Sequence, residues 1–399
     1  MNFTPKQKLW IKATLLAGGS LTIMAAATIA PALSKISEAF SHNPDSEFLS
    51  RLILVLPSLI IAIAAPFMGY IIDRFGRKKL LLTSLVLYAF AGTAGYFLDN
   101  LYHILISRGV LGIAVAGNMV TITTLVADYF EGKERDQFMG LQGGFMSIGG
   151  IIFVLCGGLL ADISWREPFL IYTASMLVFP MVWLILKEPS SLQLSKKPRD
   201  ILDLEMQDEL FSRGKIILIY IIGFIGMVIF YMVPVQLPFY LAEISEVSQF
   251  SVGLAIATCT IAAAPTAMLY EVIKSRLSYP LIYAIGFLIM GVGFIFIGNA
   301  YTYPQVITGL LISGLGFGFM IPNGMVWLMS LAPVHMRGRL IGVLNMSMFL
   351  GQFFSPFFTE PVSNETSLGF AFGLMGGVMI IISIGFIGGN KRLSDPSLV

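Results

Sequence analysis

The sequence predicts an all-α membrane protein, with twelve transmembrane helices arranged as two pseudo-symmetric six-helix halves. Three observations carry this. Of the 399 residues, 56% are hydrophobic and only 12% charged, where an ordinary soluble domain is about 25% charged. The apolar residues gather into twelve runs, each near the roughly twenty residues that cross a hydrocarbon core. A long polar stretch from Lys187 to Arg213 divides these runs six and six, and short sequence echoes relate one set to the other.

In chain order the runs occupy roughly 9–33, 52–72, 80–98, 103–127, 138–160, 168–187, 214–240, 250–272, 279–298, 303–330, 338–359 and 367–389. Lys6, Lys8 and Lys12 precede the first run as they would a secretory signal, but the run continues past Ala30, too far for a signal's apolar core, so it reads as a membrane helix. Several runs contain Gly or Pro, which membrane helices tolerate. Ala64-Ala65-Pro66 recurs as Ala263-Ala264-Pro265, each followed by Met-x-Tyr (Met68 and Tyr70; Met268 and Tyr270). Arg135, Gly140, Met146 and Gly149 recur at one constant offset as Arg337, Gly342, Met348 and Gly351. Two echoes in the same order point to a duplicated six-helix unit. The expected organisation is an N-terminal half over 1–187, a cytoplasmic linker over 188–213 and a C-terminal half over 214–399. Within the linker, Asp200 to Phe211 sets Ile201, Leu204 and Leu210 among acids, which suits either a short interfacial helix or a flexible connector.

The basic residues are sorted by membrane side. With the N-terminus inside, all but four of the 25 Lys and Arg fall on the inner side, the exceptions being Lys35, Arg51 and Arg166 outside and Arg108 within a run. Both termini are therefore expected in the cytoplasm. A net charge of +2 offers nothing to a nucleic acid. Cys156 and Cys259 lie inside apolar runs, and His42, His103 and His335 form no cluster with metal-ligand spacing. No phosphate-binding loop or dinucleotide fingerprint is present. No enzymatic chemistry, cofactor or metal is expected, and transport by such a chain would run on an ion or solute gradient.

Between the second and third runs stands a burst of charge, Gly69-Tyr70-Ile71-Ile72-Asp73-Arg74-Phe75-Gly76-Arg77-Lys78-Lys79. Gly69 and Asp73, four apart, share a helix face, where the glycine permits close approach of a neighbouring helix and the acid marks the helix end. Gly76 supplies the permissive backbone of a tight reversal, and Arg77, Lys78 and Lys79 open the next helix on the basic side. An ordinary inner loop needs only Lys and Arg. The pattern Gly-x-x-x-Asp-Arg-x-Gly-Arg-Arg/Lys is matched at every defined position, and it resembles the loop between helices 2 and 3 of the major facilitator superfamily of secondary transporters. That resemblance implies that Gly69, Asp73, Arg74, Gly76 and Arg77 form a conformational motif. It further implies that Asp128, which ends the fourth run on the same side, joins them in a charge cluster that latches the outward-open state. The alternative for Asp128 is a surface acid beside Lys133.

Arg108 is the most costly side chain in the sequence, since it lies within the fourth run and no acid shares its depth. Glu38, Asp99, Asp162, Glu243 and Glu360 sit near outer helix ends, and Asp73, Asp128 and Glu271 near inner ones. Arg108 could snorkel to the interface, bind an acidic group of the substrate, or tune the protonation of an outer-end acid. The stretch Arg108-Gly109-Val110-Leu111-Gly112 is similar to the helix 4 motif of proton-driven facilitator antiporters, whose arginine is implicated in proton coupling. The fifth run matches the antiporter signature only in part. Gly149, Gly157 and Gly158 are present, but Phe153-Val154 stands where a Gly-Pro pair is expected.

Gln142, Gln236, Asn323, Asn345 and Gln352 are the uncharged polar residues best placed to line a cavity, with helix-to-helix hydrogen bonding as the alternative for each. The resemblance to bacterial efflux members implies a monomeric multi-pass protein of the cytoplasmic membrane, in contact with lipid. Its expected cargo is a small amphipathic or anionic compound, exported in exchange for protons. Uptake of a nutrient anion and a non-transporting receptor or scaffold on the same fold are the alternatives.

Overall fold

The computed structural model describes residues 4–188, 213–333 and 335–394. Nearly all of the expected linker, including the stretch Asp200 to Phe211, lies outside the described residues. The described residues are helical without a strand, and twelve spans are long and apolar enough to cross a membrane. In order these are α1 (Pro5–Ala39), α2 (Ser46–Phe75), α3 (Arg77–Phe97), α4 (Leu101–Tyr129), α5 (Gly132–Ile163), α6 (Glu167–Ile185), α7 (Arg213–Ile244), α8 (Gln249–Met268), α9 (Tyr279–Gly298), α10 (Tyr303–Leu331), α11 (Arg337–Glu365) and α12 (Leu368–Leu393).

Local chemistry sets the ends and the breaks. Thr4 and Gln7 cap α1 reciprocally, each side chain accepting from the other's backbone N–H, and Pro5 occupies the first helical position, where its missing N–H costs nothing. Asn100 caps α4 by accepting from the Tyr102 N–H. Proline breaks the regularity of other spans: α1 passes through a 3-10 turn at Ala30–Ala32 that contains Pro31, and α6 begins as a 3-10 stretch, Glu167–Ala174, after Pro168 takes its first turn. The run expected at 250–272 divides, with α8 ending at Met268 and a separate turn of helix over Tyr270–Lys274.

Phe67, Phe90, Leu177, Leu184 and Ile381 are among many large apolar side chains that stand exposed. On a soluble protein such a surface would drive association, whereas on a twelve-span protein it faces lipid.

The chain forms two compact units, one of Met1–Ser195 with Ser248–Leu254, the other of Lys196–Val247 with Ala255–Val399. The same pairings recur in both. In the first unit α1 packs on α5, and α3 on α4 and α6; in the second α7 packs on α11, and α9 on α10 and α12. One side-chain tie recurs with them: Ser175 of α6 donates to the Leu85 carbonyl of α3 at 3.1 Å, as Ser383 of α12 does to the Ala284 carbonyl of α9 at 2.7 Å. A hydroxyl that spends its proton on a helix carbonyl is cheap to bury in lipid, so it can fix a helix pair.

Candidate functional site

The charged turn between α2 and α3 is built into the inner end of the first unit. Gly76 ends α2 by donating its N–H to the Ile72 carbonyl at 3.0 Å, and its φ of +89° is a conformation that disfavours any side chain. A Cβ at Gly76 would also lie 2.9 Å from a carboxylate oxygen of Glu188. That carboxylate caps α3, accepting from the Arg77 N–H at 2.6 Å and the Lys78 N–H at 2.8 Å. The Arg77 side chain is buried, and its Nε donates to Asp128 Oδ2 of α4 at 3.1 Å. Lys78 Nζ donates to the Trp183 carbonyl of α6, and the Tyr129 hydroxyl to that of Lys187. One short turn thus ties α3 to α4 and to the end of α6. Asp73 and Arg74 stand exposed, and nothing lies within 4 Å of the place a Cβ would take on Gly69, so no neighbouring helix uses that gap among the described residues.

Arg108 is fully buried within the same unit. Its Nη2 donates to the carbonyls of Gly92 at 2.6 Å and Ala91 at 3.3 Å on α3. Its guanidinium lies against the rings of Phe169 and Tyr172 of α6, 4.9 and 4.8 Å from their centroids. Helix carbonyls keep a second lone pair after the helical bond, and aromatic faces attract cations, so an arginine can be housed here without an acid. Nε and Nη1 find no partner among the described residues. A second arginine, Arg51, is also buried; it pairs with Glu47 one turn earlier on α2.

The uncharged polar residues are divided between the two units, Gln142 in the first and Gln236, Asn323, Asn345 and Gln352 in the second. Gln142 of α5 lies against α1, its Nε2 2.8 Å from where a Cβ on Gly19 would sit. In the second unit Gln236 is buried and donates to Thr359 Oγ1 at 2.9 Å, with its Oε1 left without a partner among the described residues. Asn323 makes two helix ties: it accepts from the Tyr270 hydroxyl at 3.2 Å and donates to the Tyr279 carbonyl at 3.0 Å. Asn345 and Gln352 of α11 are half-buried. Asn118 of α4, which composition alone does not distinguish, is fully buried and donates to the Gly18 carbonyl of α1 at 2.8 Å.

The model of the Major Facilitator Superfamily matches residues 15–356 and 221–394, nearly the whole chain. The chain belongs to that superfamily. It is 32% identical over 112 residues to a niacin transporter of Acinetobacter baylyi, covering 28% of this chain and 26% of the other. To the class H tetracycline resistance protein of Pasteurella multocida it is 32% identical over 142 residues, 36% of this chain and 35% of the other. These matches span about a quarter to a third of the relatives' own lengths. The crystal structure of a D-xylose-proton symporter shares the fold over 95% of this chain and 97% of that one, with a TM-score of 0.77 at 16% identity.

Facilitator superfamily members are transporters of small molecules rather than enzymes, and this one is a multi-pass membrane protein of twelve spans. Among the described residues no group of three or more His, Cys, Asp or Glu could hold a metal ion. Glu188 is the part of the inner turn that sequence reasoning misses, because it contacts Arg77 across 111 positions and no local pattern marks it. A carboxylate on two free N–H groups at a helix N-terminus is worth about 1 kcal/mol. Glu188→Ala is expected to lower the melting temperature of the purified protein by a few degrees, and Glu188→Gln by less, since the amide keeps one acceptor. Equal melting of all three proteins would remove the cap from the account.

Proposed function

We propose that the protein exports a small amphipathic or anionic organic compound across the cytoplasmic membrane by alternating access, in exchange for protons, and that it works as a monomer with both termini in the cytoplasm. The observation that carries this reading is Arg108, a fully buried cation in α4 with two nitrogens unspent and no acid paired to it among the described residues. A buried cation with donors to spare is suited to an acidic group of a substrate or to a proton-carrying acid. Similarity to a bacillibactin exporter of Bacillus subtilis favours export, and the sorting of Lys and Arg favours the orientation. On this reading Arg77 and Asp128 hold one of two global states, with Gly69, Asp73, Arg74 and Gly76 forming the rest of that motif. Gln142, Gln236, Asn323, Asn345 and Gln352 are the polar groups proposed to act on substrate or proton. Similarity to a niacin transporter favours a second reading, uptake of a nutrient anion.

Proteoliposomes loaded with a compound panel test both. Export by proton exchange requires that an imposed pH gradient drive movement of at least one compound, and that collapsing the gradient stop it. Movement indifferent to the gradient would exclude proton coupling, and movement together with protons would leave the uptake reading.

A further inference from the structure

The recurring hydroxyl ties set α3 and α6 of the first unit in register with α9 and α12 of the second, Leu85 matching Ala284 and Ser175 matching Ser383. In that register Lys391 and Arg392 of α12 stand where α6 has Trp183 and Leu184. The end of α12 is thus basic where that of α6 is apolar. In the first half the charged turn is balanced from within, Arg77 on Asp128 and the Glu188 carboxylate on two N–H groups of α3. In the second, Lys274, Arg276, Lys391 and Arg392 make no ion pair among the described residues. Glu271 is the one acid within 265–282 and 385–394 to set against them.

These four bases are gathered at one place. Ser278, just before α9, donates its hydroxyl to Asn390 Oδ1 of α12 at 2.6 Å, which sets Lys391 and Arg392 beside the turn that carries Lys274 and Arg276. Lys274 is fixed on that turn, its Nζ donating to the Leu277 carbonyl at 3.4 Å and lying 4.0 Å from the centroid of the Tyr279 ring. Arg276, Lys391 and Arg392 are exposed. Like charges held together repel, and an anion that bridges them relieves the repulsion. Along the helices that lead away from them, Leu288, Val292 and Phe296 stand exposed on α9 and Ile381, Ile384 and Ile387 on α12. Lys391 follows Ile384 and Ile387 by seven and four positions, so it stands on the face that they present. One strip thus offers cations at its end and apolar side chains along its length, the same division that a phospholipid has.

We propose that this end of α9 and α12 binds an anionic phospholipid, with the phosphate among Lys274, Arg276, Lys391 and Arg392 and the acyl chains along the exposed ridges. The lipid bridges the two helices where Ser278 and Asn390 already tie them. Its binding is independent of the export reading, since it does not depend on which cargo is moved or in which direction.

Native mass spectrometry of the full chain in a neutral detergent tests this, with phosphatidylglycerol and phosphatidylcholine of the same acyl chains as probes. The wild type is expected to bind phosphatidylglycerol saturably and about tenfold or more tightly than phosphatidylcholine. Lys391→Ala with Arg392→Ala is expected to weaken phosphatidylglycerol about tenfold, because each base near the headgroup contributes, and to leave phosphatidylcholine within about twofold. Lys133→Ala with Arg135→Ala removes the same charge from a stretch where Glu131 and Asp136 offset it, and is expected to change neither. Glycerophosphoglycerol, the headgroup without its chains, is expected not to displace the bound lipid even in large excess. Equal binding of the two lipids by the wild type, or an equal effect of the two double variants, overturns the site. Displacement by the free headgroup also overturns it as a lipid site, since the chains would then contribute nothing.

Discussion

Replacing Arg77 by alanine is expected to reduce transport at least tenfold while leaving the amount of inserted protein unchanged. The Arg77 side chain is 8% exposed and the Asp128 side chain 23%, so their 3.1 Å contact is shielded from water on most sides. Removing one partner of a fully buried pair costs about 3–5 kcal/mol, and the access left to Asp128 reduces that to about 2 kcal/mol here. A bias of that size moves a two-state equilibrium about thirtyfold. The loss falls on conformational exchange rather than on folding, because α3 and α4 remain packed along their length and Glu188 still caps α3. Reversing the pair, with Arg77→Asp and Asp128→Arg together, is expected to recover part of the activity. Transport by Arg77→Ala within twofold of wild type, at equal membrane abundance, would sink the latch.

The helices were legible because lipid demands it: a span needs about twenty apolar residues, and each of the twelve runs supplies them. Their ends were less so, since hydropathy registers only the part in hydrocarbon while the helix continues into polar residues. Thus α2 begins at Ser46, six positions before its apolar run, and α11 reaches Glu365. The break at Tyr231 within α7 leaves no mark in the apolar pattern. The site divides in the same way. Arg77 and Asp128 can be placed on one membrane side from charge sorting alone, because the rule is about sidedness. The partners of Arg108 could not be named in advance: two are backbone carbonyls, which every residue carries, and two are rings more than 60 positions away on α6. That Asn323 ties α10 to Tyr270 and Tyr279 depends on which face of α10 turns toward them, which the sequence does not mark.

Arg108→Lys is expected to lower transport at least tenfold. The guanidinium holds Gly92 and Ala91 with one nitrogen while lying against Phe169 and Tyr172, which uses its planarity as well as its charge. A lysine ammonium in the same box is a compact point charge without the planar fork that meets carbonyls and ring faces together. If the charge serves an acidic group of the cargo, the loss is confined to anionic compounds and neutral analogues move as before. If it serves a proton-carrying acid, all compounds lose equally and the pH optimum shifts. Arg108→Ala removes the charge altogether and is expected to abolish the sensitive component, of which the lysine variant keeps part. Fluorescence-detected gel filtration of each variant separates this from misfolding, because truncating a buried side chain of that size costs several kcal/mol in packing alone, by about the same amount at pH 6 and pH 8. Wild-type rates for every compound in Arg108→Ala across pH 6 to 8 would leave Arg108 a packing residue, and the proposal of proton exchange would lose the observation that carries it.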